Sequence, residues 1–118
     1  MLLGFLFMKS NLLRKYQQLK KEEITPQDFK NILATQGGVC PICGRNQRQV
    51  RRKLAIDHCH KTGRIRGILC GRCNLALGLL GDNCVFLERA INYLKQNSDW
   101  EYTTLDTLLE YGNEFSAI

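Results

Sequence analysis

Apolar positions along this chain form short helical stripes on either side of a central stretch with a different rhythm. Leu12, Leu13, Tyr16 and Leu19 recur at helical spacing through the charged run 9–23 and predict a short amphipathic helix. Thr25-Pro26 reads as an N-cap followed by proline at the first helical position, with Asp28 in the first turn. Phe29, Ile32 and Leu33 then make the buried stripe of a second helix, which Gly37-Gly38 ends. The middle of the chain switches period. Leu54-Ala55-Ile56 reads as a short strand, Lys61-Thr62-Gly63 as the turn of a hairpin, and Arg64 to Leu69 as the return strand. Beyond it, 74–80 reads as a helix ending at Gly81, and a turn over 81–83 follows. Leu87, Ala90, Ile91 and Leu94 at i, i+3, i+4 and i+7 predict a stronger amphipathic helix. A last stripe, Leu105, Leu108 and Leu109 with Gly112 as a stop, is expected to pack on the core or on another subunit.

These elements predict an α+β fold, mainly helical, with a hairpin and helix at its centre and helices at both ends. Three segments follow: an N-terminal helical extension over 1–23, a central domain over 24–95 and a helical tail over 96–118. The opening Met1 to Phe7 is apolar but only seven residues long, without a basic flank or a cleavage site. It reads as a packing strand or as leader residues ahead of a start at Met8, far too short to span a membrane.

At 118 residues the chain has a modest core, for which a structural metal is a natural support. The formal charge of +6 is unevenly spread. Residues 40–73 hold nine Lys and Arg against one acid, Asp57, for a local +8, whereas 74–118 carry −5. A positive field centred there points to a polyanion as partner.

The same stretch holds the candidate chemistry. Cys40-Pro-Ile-Cys43 and Cys70-Gly-Arg-Cys73 are two CxxC pairs 26 residues apart, the spacing of tetrahedral zinc ligands. Each pair supplies two sulfurs from a tight turn, so one Zn²⁺ staples the two ends of the hairpin. The alternatives are disulfides, or a mixed site using Cys59, His58 or His60; neither explains why both pairs come complete. The CxxC spacing, with Cys59 and Cys84 unpatterned, reads as a reduced, intracellular, cytoplasmic protein. Four thiolates leave no open position, so catalysis needs another centre, for which Asp57, His58, His60 and Asn74 are the candidates. Asp and Asn oxygens are hard donors of the kind Mg²⁺ or Mn²⁺ takes, and a neutral imidazole beside them can accept a proton from water. Asp57 and His58 point to opposite faces of a regular strand, so their convergence requires the chain to leave strand geometry there.

The run from Ala55-Ile56-Asp57-His58-Cys59-His60-Lys61-Thr62-Gly63 to Cys70-Gly71-Arg72-Cys73-Asn74 resembles the phage recombination endonuclease VII family, within the wider His-Asn-His or ββα-metal nucleases. The approach Gln36-Gly37-Gly38-Val39-Cys40 is also similar to the family's entry to its first zinc knuckle. The resemblance covers about 24–95. It implies a zinc-stapled ββα-metal core in which Cys40, Cys43, Cys70 and Cys73 bind structural zinc. It further implies that Asp57 and Asn74 bind the catalytic Mg²⁺, that His58 is the general base, and that His60 sits beside the scissile phosphate. The implied activity is hydrolysis of DNA phosphodiester bonds to 5′-phosphate and 3′-hydroxyl ends, on duplex or branched DNA such as a Holliday junction. The family's phage resolvases are homodimers, and no membrane is involved. Two other readings stand beside this one: a non-catalytic zinc-containing nucleic-acid-binding module, and a protein-interaction zinc domain.

Overall fold

A computed structural model describes residues 13–96. The stripe over 104–111, the apolar opening 1–7 and the start of the helix over 9–23 lie outside the described residues. Helical backbone at 13–16 leads through a turn to an isolated antiparallel bridge between Lys20 and Arg64. A 3-10 turn follows at Lys21–Glu23. Then come α1 (Pro26–Thr35), a second 3-10 turn (Gln47–Gln49), β1 (Ala55–His58), β2 (Ile65–Leu69), α2 (Gly71–Leu79) and α3 (Cys84–Lys95).

The helix expected over 9–23 therefore stops at 16. The backbone explains it: the Leu19 carbonyl accepts from the Ile65 N–H at 3.0 Å, a long-range bond that replaces the next helical turn. Leu13 and Leu19 pack against the core and Tyr16 is in it, its hydroxyl accepting from Asn31 at 3.0 Å. Helix α1 begins as its sequence indicates. Thr25 Oγ1 accepts from Asp28 N and Asp28 Oδ2 accepts from Thr25 N, a reciprocal cap. Ile32 is fully buried, and Phe29 and Leu33 pack against the core beside it.

The sheet has two antiparallel strands, with Ala55 opposite Leu69, Ile56 opposite Ile68 and Asp57 opposite Gly67. The next pair is His58 with Ile65, so Arg66 is an extra residue on β2. Such a bulge re-aims the side chain it carries. Beyond the Ile65–Leu19 backbone bond, the outer edge of β2 is covered by two glutamine side chains in place of a third strand. Gln36 donates to Ile68 O at 2.9 Å and accepts from Ile68 N at 2.8 Å, and Gln17 donates to Arg66 O at 2.9 Å. Gly67 makes room: a Cβ there would lie 2.9 Å from Gln36 Oε1.

Leu54, Ile65, Ile68 and Leu69 form the centre of the core, continuous with the buried Cys40, Cys70 and Cys73. Helix α3 departs from its apolar pattern. Leu87 and Ala90 are half-buried, while Ile91 and Leu94 are exposed by 50% and 63%. No described helix is long and apolar enough to cross a membrane.

Candidate functional site

The two CxxC segments take different local structures to reach one point. Cys40–Gly44 is a turn closed by Gly44 N donating to Cys40 O and Cys40 N donating to Arg45 O, both at 2.8 Å, with Gly44 at φ 77°. The second segment, expected as a knuckle ahead of a helix, is instead the first turn of α2. Cys70 is its N-cap, and its sulfur accepts from Cys73 N at 3.4 Å. The four Sγ atoms lie within 4.8 Å of one another.

Their chemistry fits a cation. Cys40 is held down to about 4, first by a hydrogen bond from Cys73, whereas Cys73 is pushed up by that same pairing and then by burial. Cys70 is pushed up mainly by burial. Four such thiols cannot all ionise without a positive charge among them, and a tetrahedral zinc ion supplies it. Arg45, only 5% exposed, adds a second positive charge, with its Nε 3.3 Å from Cys43 Sγ. Burial works against that guanidinium's charge, but the hydrogen bond and the pull of Cys43, Cys70 and Cys73 raise its pKa on balance. Among the described residues its Nη1 has no hydrogen-bond partner.

Of the candidate catalytic groups, Asp57 is buried and faces Arg66. Arg66 Nε donates to Asp57 Oδ2 at 2.7 Å and Nη2 to Oδ1 at 3.0 Å, while Nη1 lies 2.9 and 3.0 Å from the two oxygens of Asp82. The guanidinium's pKa is raised, first by Asp57, then, against the opposing effect of burial, by Asp82. These three side chains line a cavity of about 460 Å³ whose other walls include Leu13, Ile42 and Leu77. His58 lines a separate cleft of about 200 Å³ with Lys20, Lys21, Glu22, Thr62 and Gly63. Its ring meets that of His60 edge-on, with centroids 5.1 Å apart. Asn74, half-buried, follows Cys73 directly in the first turn of α2, and its N–H donates to Cys70 O at 3.0 Å.

The structure thus brings the four cysteines together, Asp57 with Arg66 and Asp82, and His58 with His60. Among the described residues the cysteines are the one group of three or more His, Cys, Asp or Glu side chains with converging ligand atoms. Asp57 keeps capacity for a hard cation, since Arg66 uses two of the roughly four acceptor positions of a carboxylate. The amide oxygen of Asn74 is a donor of the same hard kind.

The sequence profile of the family described as recombination endonuclease VII matches residues 14–96. The chain belongs to that family. Relatives include the Gene 59 protein of Mycobacterium phage D29, 45% identical over 74 residues, and that of Mycobacterium phage L5, 44% identical over 72. Those matches cover 62% and 60% of this chain, and 44% and 43% of the relatives. The chain thus spans less than half the length of the curated relatives it matches. No solved structure matches.

The contacts of three residues are not announced by the motif. Gln36 carries no periodic signal and bonds a strand 32 residues away. Arg66 is, by sequence, one of many basic residues suited to a polyanion, yet its guanidinium sits between two carboxylates. Asp82 lies in a turn, where an acid draws no attention.

Proposed function

We propose that this chain is a metal-dependent DNA endonuclease that hydrolyses phosphodiester bonds in recombination intermediates. The observation that carries the reading is the His58 cleft, in which a half-buried imidazole shares a polar recess with Lys20 and Lys21. Such a recess suits a phosphate beside a base. His58 accepts a proton from the attacking water. His60, in edge contact with it, keeps its orientation and donates to a phosphate oxygen. Asp57 and Asn74 would hold Mg²⁺ or Mn²⁺, which when bound would stabilise the negative charge that builds on the phosphate. The exposed Arg48, Arg51, Arg52 and Lys53 hold the DNA backbone without reading sequence.

The zinc-bound domain over 24–95, with an extension before it and a tail after it, is part of this proposal. So is a homodimer, which the exposed Val85, Phe86, Ile91 and Leu94 of α3 support. The grip of Arg66 on Asp57 favours a second reading, a non-catalytic zinc module that binds nucleic acid; it requires the same DNA affinity and no cleavage. A four-way junction and its linear duplex arms, each incubated with the zinc-loaded protein in Mg²⁺, separate the versions. Faster cleavage of the junction is expected. Equal rates would remove the preference for branched DNA, and no cleavage of either would leave the binding module.

A further inference from the structure

The Asp57 carboxylate poses an electrostatic problem for the function proposed above. It is the one acid among nine basic residues in 40–73, and a guanidinium is forked onto both of its oxygens. A lone Asp57–Arg66 pair would be close to neutral and a poor magnet for a divalent cation. The fold corrects this by bringing in a second acid from outside the basic block. Asp82, in the turn between α2 and α3, takes the remaining edge of the guanidinium through Nη1. The set of three then carries a net negative charge. It lines a cavity with largely apolar walls, where charges act on one another more strongly than in water.

Two features show that the contact is built in. Arg66 is the bulged residue of β2, so the register itself aims it at Asp57. Asp82 sits at φ 54°, the only non-glycine residue with positive φ among those described. Asparagine occupies that backbone at least as readily, so what aspartate adds at this position is charge.

We infer that Asp82 is a positioning residue for the catalytic centre, acting through Arg66: it draws the guanidinium's charge away, so that Asp57 keeps negative charge for a divalent cation. The inference rests on the proposed role of Asp57. Asp82→Asn removes the charge and leaves the turn intact. Mn²⁺ binding to the zinc-loaded full chain, followed without DNA by the electron paramagnetic resonance of free Mn²⁺, is expected to weaken about tenfold. Zinc content and melting temperature stay at wild-type values. Plasmid nicking by Asp82→Asn falls at low Mg²⁺ and recovers at high Mg²⁺, a shift that a merely structural role would not produce. In an Arg66→Gln background, adding Asp82→Asn leaves Mn²⁺ affinity unchanged.

Unaltered Mn²⁺ affinity in Asp82→Asn would overturn the inference, as would an equal loss in the Arg66→Gln background. A wild-type chain that binds no Mn²⁺ would overturn it as well. If wild type binds Mn²⁺ but cuts no DNA, the proposed function fails, while the Mn²⁺ shift still decides the role of Asp82.

Discussion

Replacing Gln36 by methionine keeps the length of the side chain and removes its amide. In the native fold that amide makes three hydrogen bonds: to Ile68 O at 2.9 Å, from Ile68 N at 2.8 Å and to Val39 O at 3.1 Å. Ile68 is fully buried, so water cannot take over its two backbone groups. Each buried group left unpaired costs about 1–3 kcal/mol, which places the loss at about 2–6 kcal/mol, with the Val39 bond a smaller addition. For a domain of this size that is a fall in melting temperature of about 10–30 °C. Urea denaturation of the zinc-loaded protein, followed by circular dichroism, measures it. A loss below about 1 kcal/mol would show that Gln36 does not serve as the missing strand beside β2, and the account of how the hairpin is held would be wrong.

Other perturbations follow from the same geometry. Gly67→Ala drives a methyl against Gln36 Oε1 and is expected to cost about 1–3 kcal/mol; in a Gln36→Ala background most of that cost should disappear, and equal costs in both would deny the contact. Arg45→Met removes the charge that favours the thiolates, so their protonation reaches higher pH. Acid titration followed by a zinc dye should then show release at higher pH than in wild type; an unchanged or lower midpoint would contradict the role given to Arg45. Alanine at Arg48, Arg51 or Arg52 should each weaken DNA binding uniformly across sequences. Each should also reduce the slope of log affinity against log salt by about 0.9 for every phosphate the variant no longer neutralises. An unchanged slope for all three would place the DNA on another face.

What the sequence made legible was local. Thr25-Pro26 and Gly37 mark the ends of α1 because caps and left-handed turns depend on one or two residues. The cysteine spacing foretells the four-sulfur cluster because a metal imposes its own geometry. A departure from regular strand geometry near Asp57 and His58 is also readable, since strand periodicity alone cannot aim both at one centre; the bulge that occurs there nonetheless leaves the two side chains in separate cavities. The form of that departure is not readable. The extra residue is Arg66 on the partner strand, and its alternation with Ile65 looks like ordinary strand pattern. The contacts of Gln17 and Arg66 span 49 and 16 residues and leave no periodic trace. The end of the first helix at 16 is hidden for the same reason, because a bond from Ile65 decides it. The apolar stripe of α3 is visible in the sequence, but not what it meets: Ile91 and Leu94 face outward.

The central claim is that His58 activates water in a cation-dependent nuclease. The most direct measurement compares nicking of supercoiled plasmid by zinc-loaded wild type, His58→Ala and Asn74→Ala, each in Mg²⁺ and in EDTA. Wild type is expected to cut in Mg²⁺ alone. His58→Ala should be slower by about 10²–10⁴-fold while retaining zinc and DNA affinity, and Asn74→Ala should require more Mg²⁺. Cleavage by His58→Ala at the wild-type rate, or none by wild type in Mg²⁺, would contradict the account.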